Sequence, residues 1–321
     1  MSPRAWIIFA CMSALWGIPY MFIRIAVDDG VPPAFVAWSR VVLAAVVLLA
    51  LAWRAGALRT LRGKWRWLAA YAVLEISIPF PMIAFGERHV ASSLAAIIIA
   101  AVPLFVALLA IRFDQAERAT GRRLVGLLVG LGGVVALVGI DVAGRGDERL
   151  GAAAIVLAAM GYAAGPMIYK RQLGEIDPRA TMGASLAIAA LVLTPFAAVD
   201  PPRAMPSADA LAAIGVLGIF CTAIAFVVFT GLLLEVGPGR ASVITYINPV
   251  VAVALGVTIL GERPGAGAIA GLLLILAGSW LSTDGRLPPG LDSLLARVRP
   301  RRAARRSEPS HTGGAAAVQH P

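Results

Sequence analysis

The stretch SVITYINPVVAVALGVTILGERPGAGAIAGLLLILAGSWL, residues Ser242 to Leu281, decides how the chain is read. It is an apolar helix, a tight polar break at Gly261-Glu262-Arg263-Pro264, and a second apolar helix rich in glycine. The first half of the chain carries a near copy, running from Val102-Pro103 to Leu137. Glu117-Arg118 matches Glu262-Arg263 and Gly126-Leu127-Leu128 matches Gly271-Leu272-Leu273, each at an offset of 145 residues, and Gly133 falls on Gly278. Self-similarity over such a distance marks a duplication.

Composition says what is duplicated. Of 321 residues, 59% are apolar and only 14% charged, against roughly a quarter charged in a soluble domain. The apolar residues come in runs of about 20, the length that crosses a hydrocarbon core of roughly 30 Å. Ten such spans are expected: Ala5–Val27, Pro33–Trp53, Trp65–Phe85, Val90–Ile111, Arg123–Ile140, Gly151–Tyr169, Thr181–Val199, Asp209–Leu234, Ala241–Leu260 and Gly265–Ser282. Short connections require one antiparallel bundle. The expected domains are two five-helix repeats, residues 1–141 and 149–284, followed by a disordered basic tail, 285–321, with Pro288-Pro289 and six arginines between Arg297 and Arg306.

Lysine and arginine set the orientation. With the N-terminus inside, the cytoplasmic loops carry 14 of them and the opposite loops 6; the tail adds seven, and Arg40 lies within a span. Both termini are therefore expected in the cytoplasm of a cell inner membrane. The net charge of +10 follows from this bias and from the tail, so no nucleic-acid partner is implied. Five spans per repeat is an odd number, which inserts the second copy upside down. The expected fold is an all-α integral membrane protein of ten transmembrane helices in two inverted five-helix repeats, a recurring plan of secondary transporters.

In that plan interrupted helices at matching positions point to the substrate site. Pro19 (span 1), Pro79 (span 3), Pro103 (span 4), Pro166 (span 6) and Pro249 (span 9) are the expected helix breaks, each lacking an amide donor. Glu75, at the centre of span 3, is the most pointed residue, since a carboxylate there costs about 2.5–3.5 kcal/mol or more unless paired, protonated or hydrated. Tyr71, Pro79 and Met82 share its helical face. It reads as a proton carrier or amine ligand, with an ion pair to Arg40 as the structural alternative. Arg40 itself is assigned a structural or ion-pair role. Trp16, Tyr20 and Tyr162 are further candidates for the lining. Thr245, Tyr246 and Asn248, before Pro249, suit hydrogen bonding to a polar solute or to a neighbouring helix. Gly126-x-x-x-Gly130 and Gly267-x-x-x-Gly271 allow close helix approach, either to neighbours or across a homodimer through spans 5 and 10.

Several chemistries have no motif. There is no G-x-x-x-x-G-K-[ST] for ATP and no H-E-x-x-H for zinc. Cys11 and Cys221 lie inside apolar runs, so neither metal nor disulfide is expected. No cofactor, metal or catalytic residue is assigned, and the chain is not read as an enzyme.

The chain resembles EamA-type members of the drug/metabolite transporter superfamily over roughly residues 5–283. The resemblance is carried by Leu15-Trp16-Gly17 with Tyr20, Ser39-Arg40, Ala91-Ser92-Ser93 to Pro103, Arg240-Ala241-Ser242 to Pro249, and Gly261-Glu262-Arg263. The first repeat departs from the usual Leu-Gly-Glu break, showing Asp114-Gln115-Ala116-Glu117. The resemblance implies a carrier with a central cavity lined by spans 1, 3, 4, 6, 8 and 9. The expected function is export of a small polar or zwitterionic metabolite by alternating access with proton coupling. The alternatives are uptake or facilitated diffusion, a non-transporting scaffold, and an intramembrane enzyme.

Overall fold

A chain this apolar must satisfy its own backbone hydrogen bonds, and helices do so within each segment. The computed structural model describes residues 3–113, 121–141, 146–229 and 244–282, and every regular element among them is helical. Span 1 is Pro3–Gly17 continued by Pro19–Asp28; span 2 is Pro33–Arg54; span 3 is Trp65–Ala72, Val73–Ser77 and Pro79–Gly86. Span 4 is Ser92–Ile99 and Val102–Phe113, and span 5 is Arg122–Asp141. Span 6 is Gly146–Ile168 with Tyr169–Leu173, and span 7 is Pro178–Val199. Span 8 starts as Ala208–Gly218 and Ile219–Ile224 and is helical to Phe229. Span 9 is Ile244–Thr258 and span 10 is Ala266–Ser282.

Seven stretches, from Ile7–Asp28 to Ala208–Phe229, have the length and hydropathy to cross a membrane, and Ile247–Thr258 and Ala266–Leu281 are shorter apolar helices. Span 6 starts five residues before the expected Gly151, because Asp147 and Glu148 occupy its first turn, where carboxylates favour the helix dipole. The expected break around Asp114-Gln115-Ala116-Glu117, the end of span 8 at Leu234, the Arg240-Ala241-Ser242 segment and the tail lie outside the described residues.

The inverted repeat is visible in which spans touch. Spans 5 and 10, 2 and 7, and 4 and 9 each pack on their own repeat mate. Three further sets of contacts among the described residues exchange when five is added to each span number. Span 3 packs on 6 as 8 packs on 1, span 4 on 6 as 9 on 1, and span 2 on 8 as 7 on 3. Spans 1, 3, 4, 6, 8 and 9 form the centre, with the pairs 2–7 and 5–10 on the flanks.

Those flanks face lipid. Val46 on span 2, Val135 on span 5, Leu191 and Phe196 on span 7 and Leu273 on span 10 are all exposed, as apolar surface is in a bilayer. Between spans 5 and 10 the glycines bring the backbones together. A Cβ on Gly278 would land on the backbone of Gly130, and one on Gly271 would sit 2.7 Å from Leu137 Cβ and 3.1 Å from the Gly133 carbonyl. Gly126, Gly130, Gly267 and Gly271 are all buried within one chain. These motifs therefore serve the contact between repeats, and a homodimer through spans 5 and 10 has only their other faces to use.

Candidate functional site

Glu75 lies in a π-helical turn, Val73–Ser77, halfway along span 3. Pro79 has no amide to offer, so the register widens: the Ile78 amide bonds to the Val73 carbonyl at 2.9 Å and Ser77 Oγ donates to the Ala72 carbonyl at 3.2 Å. The bulged backbone fits against two glycines of span 6. A Cβ on Gly161 would come 2.5 Å from the Leu74 carbonyl, and one on Gly165 would collide with the Glu75 carboxylate. Glu75 Oε2 is enclosed and makes no hydrogen bond among the described residues. The carboxylate thus faces the glycine face of span 6 rather than a space shared with Met82, whose side chain packs into the main apolar core. Tyr71 and Tyr162 are within electrostatic reach of it. The Tyr71 hydroxyl donates to Met182 Sδ at 3.7 Å and its ring lies 5.8 Å from that of Tyr169.

Arg40 makes no ion pair with Glu75, contrary to the structural alternative read from the sequence. Its guanidinium, only 6% exposed, lies over the Phe80 ring at 4.1 Å and reaches span 8. Nε and Nη2 both donate to Thr222 Oγ1, at 3.3 and 3.0 Å. Thr222 in turn donates to the Leu217 carbonyl at 2.7 Å, within a second π-helical turn, Ile219–Ile224. Thr222 follows Ser77 by 145 residues, so both repeats carry the same bulge, held by the same hydroxyl-to-carbonyl bond. Span 8 has no proline there, which is why the sequence reading missed it. π-Bulges cluster at functional sites. Tyr20 and Tyr162 lie within electrostatic reach of Arg40, and Tyr162 is also within reach of Glu75. Tyr162 therefore lies within reach of both charges, with Tyr20 on the Arg40 side.

The other expected residues divide. Trp16 stacks against Phe226 and Phe229 of span 8, with centroids 6.1 and 4.6 Å away. Asn248, with its amide assigned from its partners, donates to the Ser13 carbonyl at 3.3 Å and the Ile244 carbonyl at 3.0 Å. It joins span 9 to span 1 where Gly17 meets Val251, so its amide bonds helices together. The side chains of Thr245 and Tyr246 lie outside the described residues. Pro19, Pro79 and Pro103 each sit at an interruption, whereas Pro166 and Pro249 lie inside helices that run on. Losing one amide bond there does not part the helix, because the adjoining turns keep theirs.

The loops at the face opposite Pro3 and Ser282 are tied together by polar contacts. Glu262, expected to be a marker of symmetry, caps span 4: Oε1 accepts from the Ser92 amide at 2.7 Å and Oε2 from the Ser93 amide at 3.0 Å. Burial pushes this carboxyl up, but the hydrogen bonds from Ser93 and Ser92 outweigh it and hold it below its ordinary value. Arg24 pairs with Asp28 at 2.7 Å and donates to the Glu87 carbonyl at 2.7 Å. Glu87, read from the sequence as loop, is 0% exposed, and neither carboxyl oxygen makes a hydrogen bond among the described residues. Asp29 Oδ2 accepts from the Ser207 amide at 2.9 Å. A cavity of about 460 Å³ opens beside it, lined by Asp29, Arg88, Asp200, Arg203 and neighbouring prolines. Towards the other face a cavity of about 320 Å³ is lined by Trp67, Leu109, Ala164, Met167, Ile168 and Arg171. Among the described residues no cluster of His, Cys, Asp and Glu could hold a metal.

Comparison with known proteins agrees with this architecture. The sequence profile of the EamA-like transporter family matches residues 4–139 and 149–283. The chain is 32% identical over 260 residues to the uncharacterised inner membrane transporter YedA of Escherichia coli K12, covering 77% of this chain and 80% of that protein. It is 33% identical over 135 residues to PagO of Salmonella typhimurium, covering 42% and 43%. It is also 24% identical over 286 residues to an uncharacterised transporter of Archaeoglobus fulgidus, covering 87% and 98%. A crystal structure titled only as that of a protein superposes with a TM-score of 0.63 at 20% identity, over 92% of this chain and all of the other, a likeness of fold. With ten helical spans among the described residues, their exchanged contacts and a profile match to each half, the chain belongs to the EamA-like transporter family.

Proposed function

We propose that this membrane transporter is a secondary carrier that exports a small polar or zwitterionic metabolite, such as an amino acid or a related compound, across the inner membrane. Residues 1–141 and 149–284 act as the two repeats that rock against each other, with both termini cytoplasmic. The observation that carries the reading is Glu75: an enclosed carboxylate in a π-helical turn, set on Gly165, with Oε2 lacking any hydrogen bond among the described residues. An intramembrane acid kept at this cost is expected to serve function. Its role is to carry a proton or to hold the amine of the substrate, and the paired bulges of spans 3 and 8 supply the places where the backbone flexes.

The test is flux from proteoliposomes loaded with amino acids, with an imposed pH gradient. Wild-type export should respond to the gradient, and Glu75→Gln should transport without that response or not at all. A Glu75→Gln protein that transports with unchanged pH dependence refutes the proton role.

A further inference from the structure

We propose that Arg40 is the anion-binding pole of the substrate site, taking the carboxylate of an amphipathic carboxylic acid or α-amino acid through its free guanidinium edge. This rests on the reading of Glu75 as the opposite pole, though the two are separable by experiment.

The argument starts from hydrogen-bond geometry. A guanidinium has two edges that can engage an acceptor pair. Thr222 Oγ1 occupies the Nε/Nη2 edge, while Nη1 makes no hydrogen bond among the described residues. The edge formed by Nη1 and the second Nη2 hydrogen is therefore available, and it is the fork a carboxylate meets with two parallel bonds. Thr222 cannot neutralise the charge, and no acidic side chain among the described residues forms an ion pair with Arg40; the buried Glu87 is within electrostatic reach but makes no hydrogen bond to it. A buried cation with a fixed orientation and no acid in contact with it can take an anion from elsewhere.

The orientation is built rather than incidental. The π-helical turn of span 8 places Thr222, the Phe80 ring at 4.1 Å supports one guanidinium face, and the Arg40 carbonyl lies against Gly218. The matching turn of span 3 carries Glu75. Each bulge thus holds one sign of charge, and Tyr162 is within electrostatic reach of both. Tyr20, Phe80 and Tyr162 beside Arg40 suit the apolar or aromatic side chain of such a ligand. A zwitterion can satisfy both charges at once; a simple carboxylate satisfies Arg40 alone.

Thermal stabilisation of the purified full chain in nanodiscs, at constant ionic strength, tests this with three probes: 3-phenylpropionate, phenylalanine and phenylalaninamide. Wild type should be stabilised by 3-phenylpropionate and more strongly by phenylalanine. Arg40→Gln should weaken 3-phenylpropionate binding at least tenfold, and Arg40→Lys, which keeps charge but loses the fork, should weaken it severalfold. Glu75→Gln should leave 3-phenylpropionate binding in place while losing phenylalaninamide. If Arg40→Gln does not fold, the Arg40→Lys loss decides. The proposal is overturned if 3-phenylpropionate fails to stabilise wild type, or stabilises the Arg40 variants equally. An Arg40-dependent carboxylate response without any phenylalaninamide response refutes the amine role of Glu75 and leaves Arg40 standing.

Discussion

Removing the Glu262 carboxylate should uncap span 4 and loosen the face opposite Pro3 and Ser282. Glu262 accepts from two amides, Ser92 at 2.7 Å and Ser93 at 3.0 Å, which are orphan donors of the first helical turn. Loss of a capping side chain costs about 1 kcal/mol, and loss of a negative charge at a helix N-terminus adds about 0.3–1 kcal/mol. Because the group is half-buried, solvent screening keeps the sum near the low end of what charged hydrogen bonds supply. Glu262→Ala should therefore cost about 2 kcal/mol and Glu262→Gln, which retains one acceptor, about 1 kcal/mol. The pH sign follows from the lowered carboxyl. Its contribution is present above the ordinary value of 4.5 and is lost as pH falls through the lower folded value. Hydrogen exchange in nanodiscs is the assay. At neutral pH the amides of Ser92 and Ser93 should exchange roughly 10–30-fold faster in Glu262→Ala. Ala210, capped independently by Ser207 Oγ at 3.2 Å, should not change. Unchanged exchange at Ser92 and Ser93 would refute the capping role, as would a difference from wild type that persists undiminished in strong acid.

Other substitutions probe the interior. Gly165→Val drives a side chain into the Glu75 carboxylate; it should cost about 1–3 kcal/mol in thermal unfolding and abolish flux. Gly278→Val separates spans 5 and 10 where Gly278 meets Gly130 and should lower the unfolding midpoint by a similar cost. Gly132→Ala, with nothing within 4 Å of the new Cβ, should be neutral or stabilising by up to about 1 kcal/mol. Thr222→Val removes the hydrogen-bond acceptor of Arg40 and the bond to Leu217, and should cost about 1–3 kcal/mol. Thr222→Ser, which keeps the hydroxyl, should recover most of that in the same melt.

Some of this was legible in the residues. The offset of 145 between Glu117-Arg118 and Glu262-Arg263 announced the duplication, and it also relates Ser77 to Thr222, a match that periodicity in apolar residues could not weigh. Proline signalled the bulge of span 3 but span 8 forms its own without one, so hydroxyl pairing was the signal available. Glu87 looked like loop because it follows the last apolar turn, yet it is 0% exposed, with Arg24 of span 1 bound to its carbonyl. Glu262 was seen as punctuation; its bond partners are about 170 residues away, too far for any local pattern to name. The ion pair of Arg40 and Glu75 was a reasonable guess from charge alone, and it failed because the side chains leave their helices toward different neighbours, span 8 for one and span 6 for the other.

The sequence by itself determined that the chain spans a membrane, how many times, and that its halves repeat in opposite sense. Those properties depend on segment length, hydropathy and an odd span count, which are local or additive along the chain. Only the tertiary structure decided which polar groups meet. That depends on the rotation of each helix about its axis and on where a π-helical turn shifts the register, and both are set by neighbours such as Gly161, Gly165 and Thr222 that are distant in sequence. In a bilayer the apolar faces are nearly interchangeable, so close glycine contacts and a few hydrogen bonds choose the packing. They put Glu75 on span 6, Arg40 on span 8, and Tyr162 within reach of both.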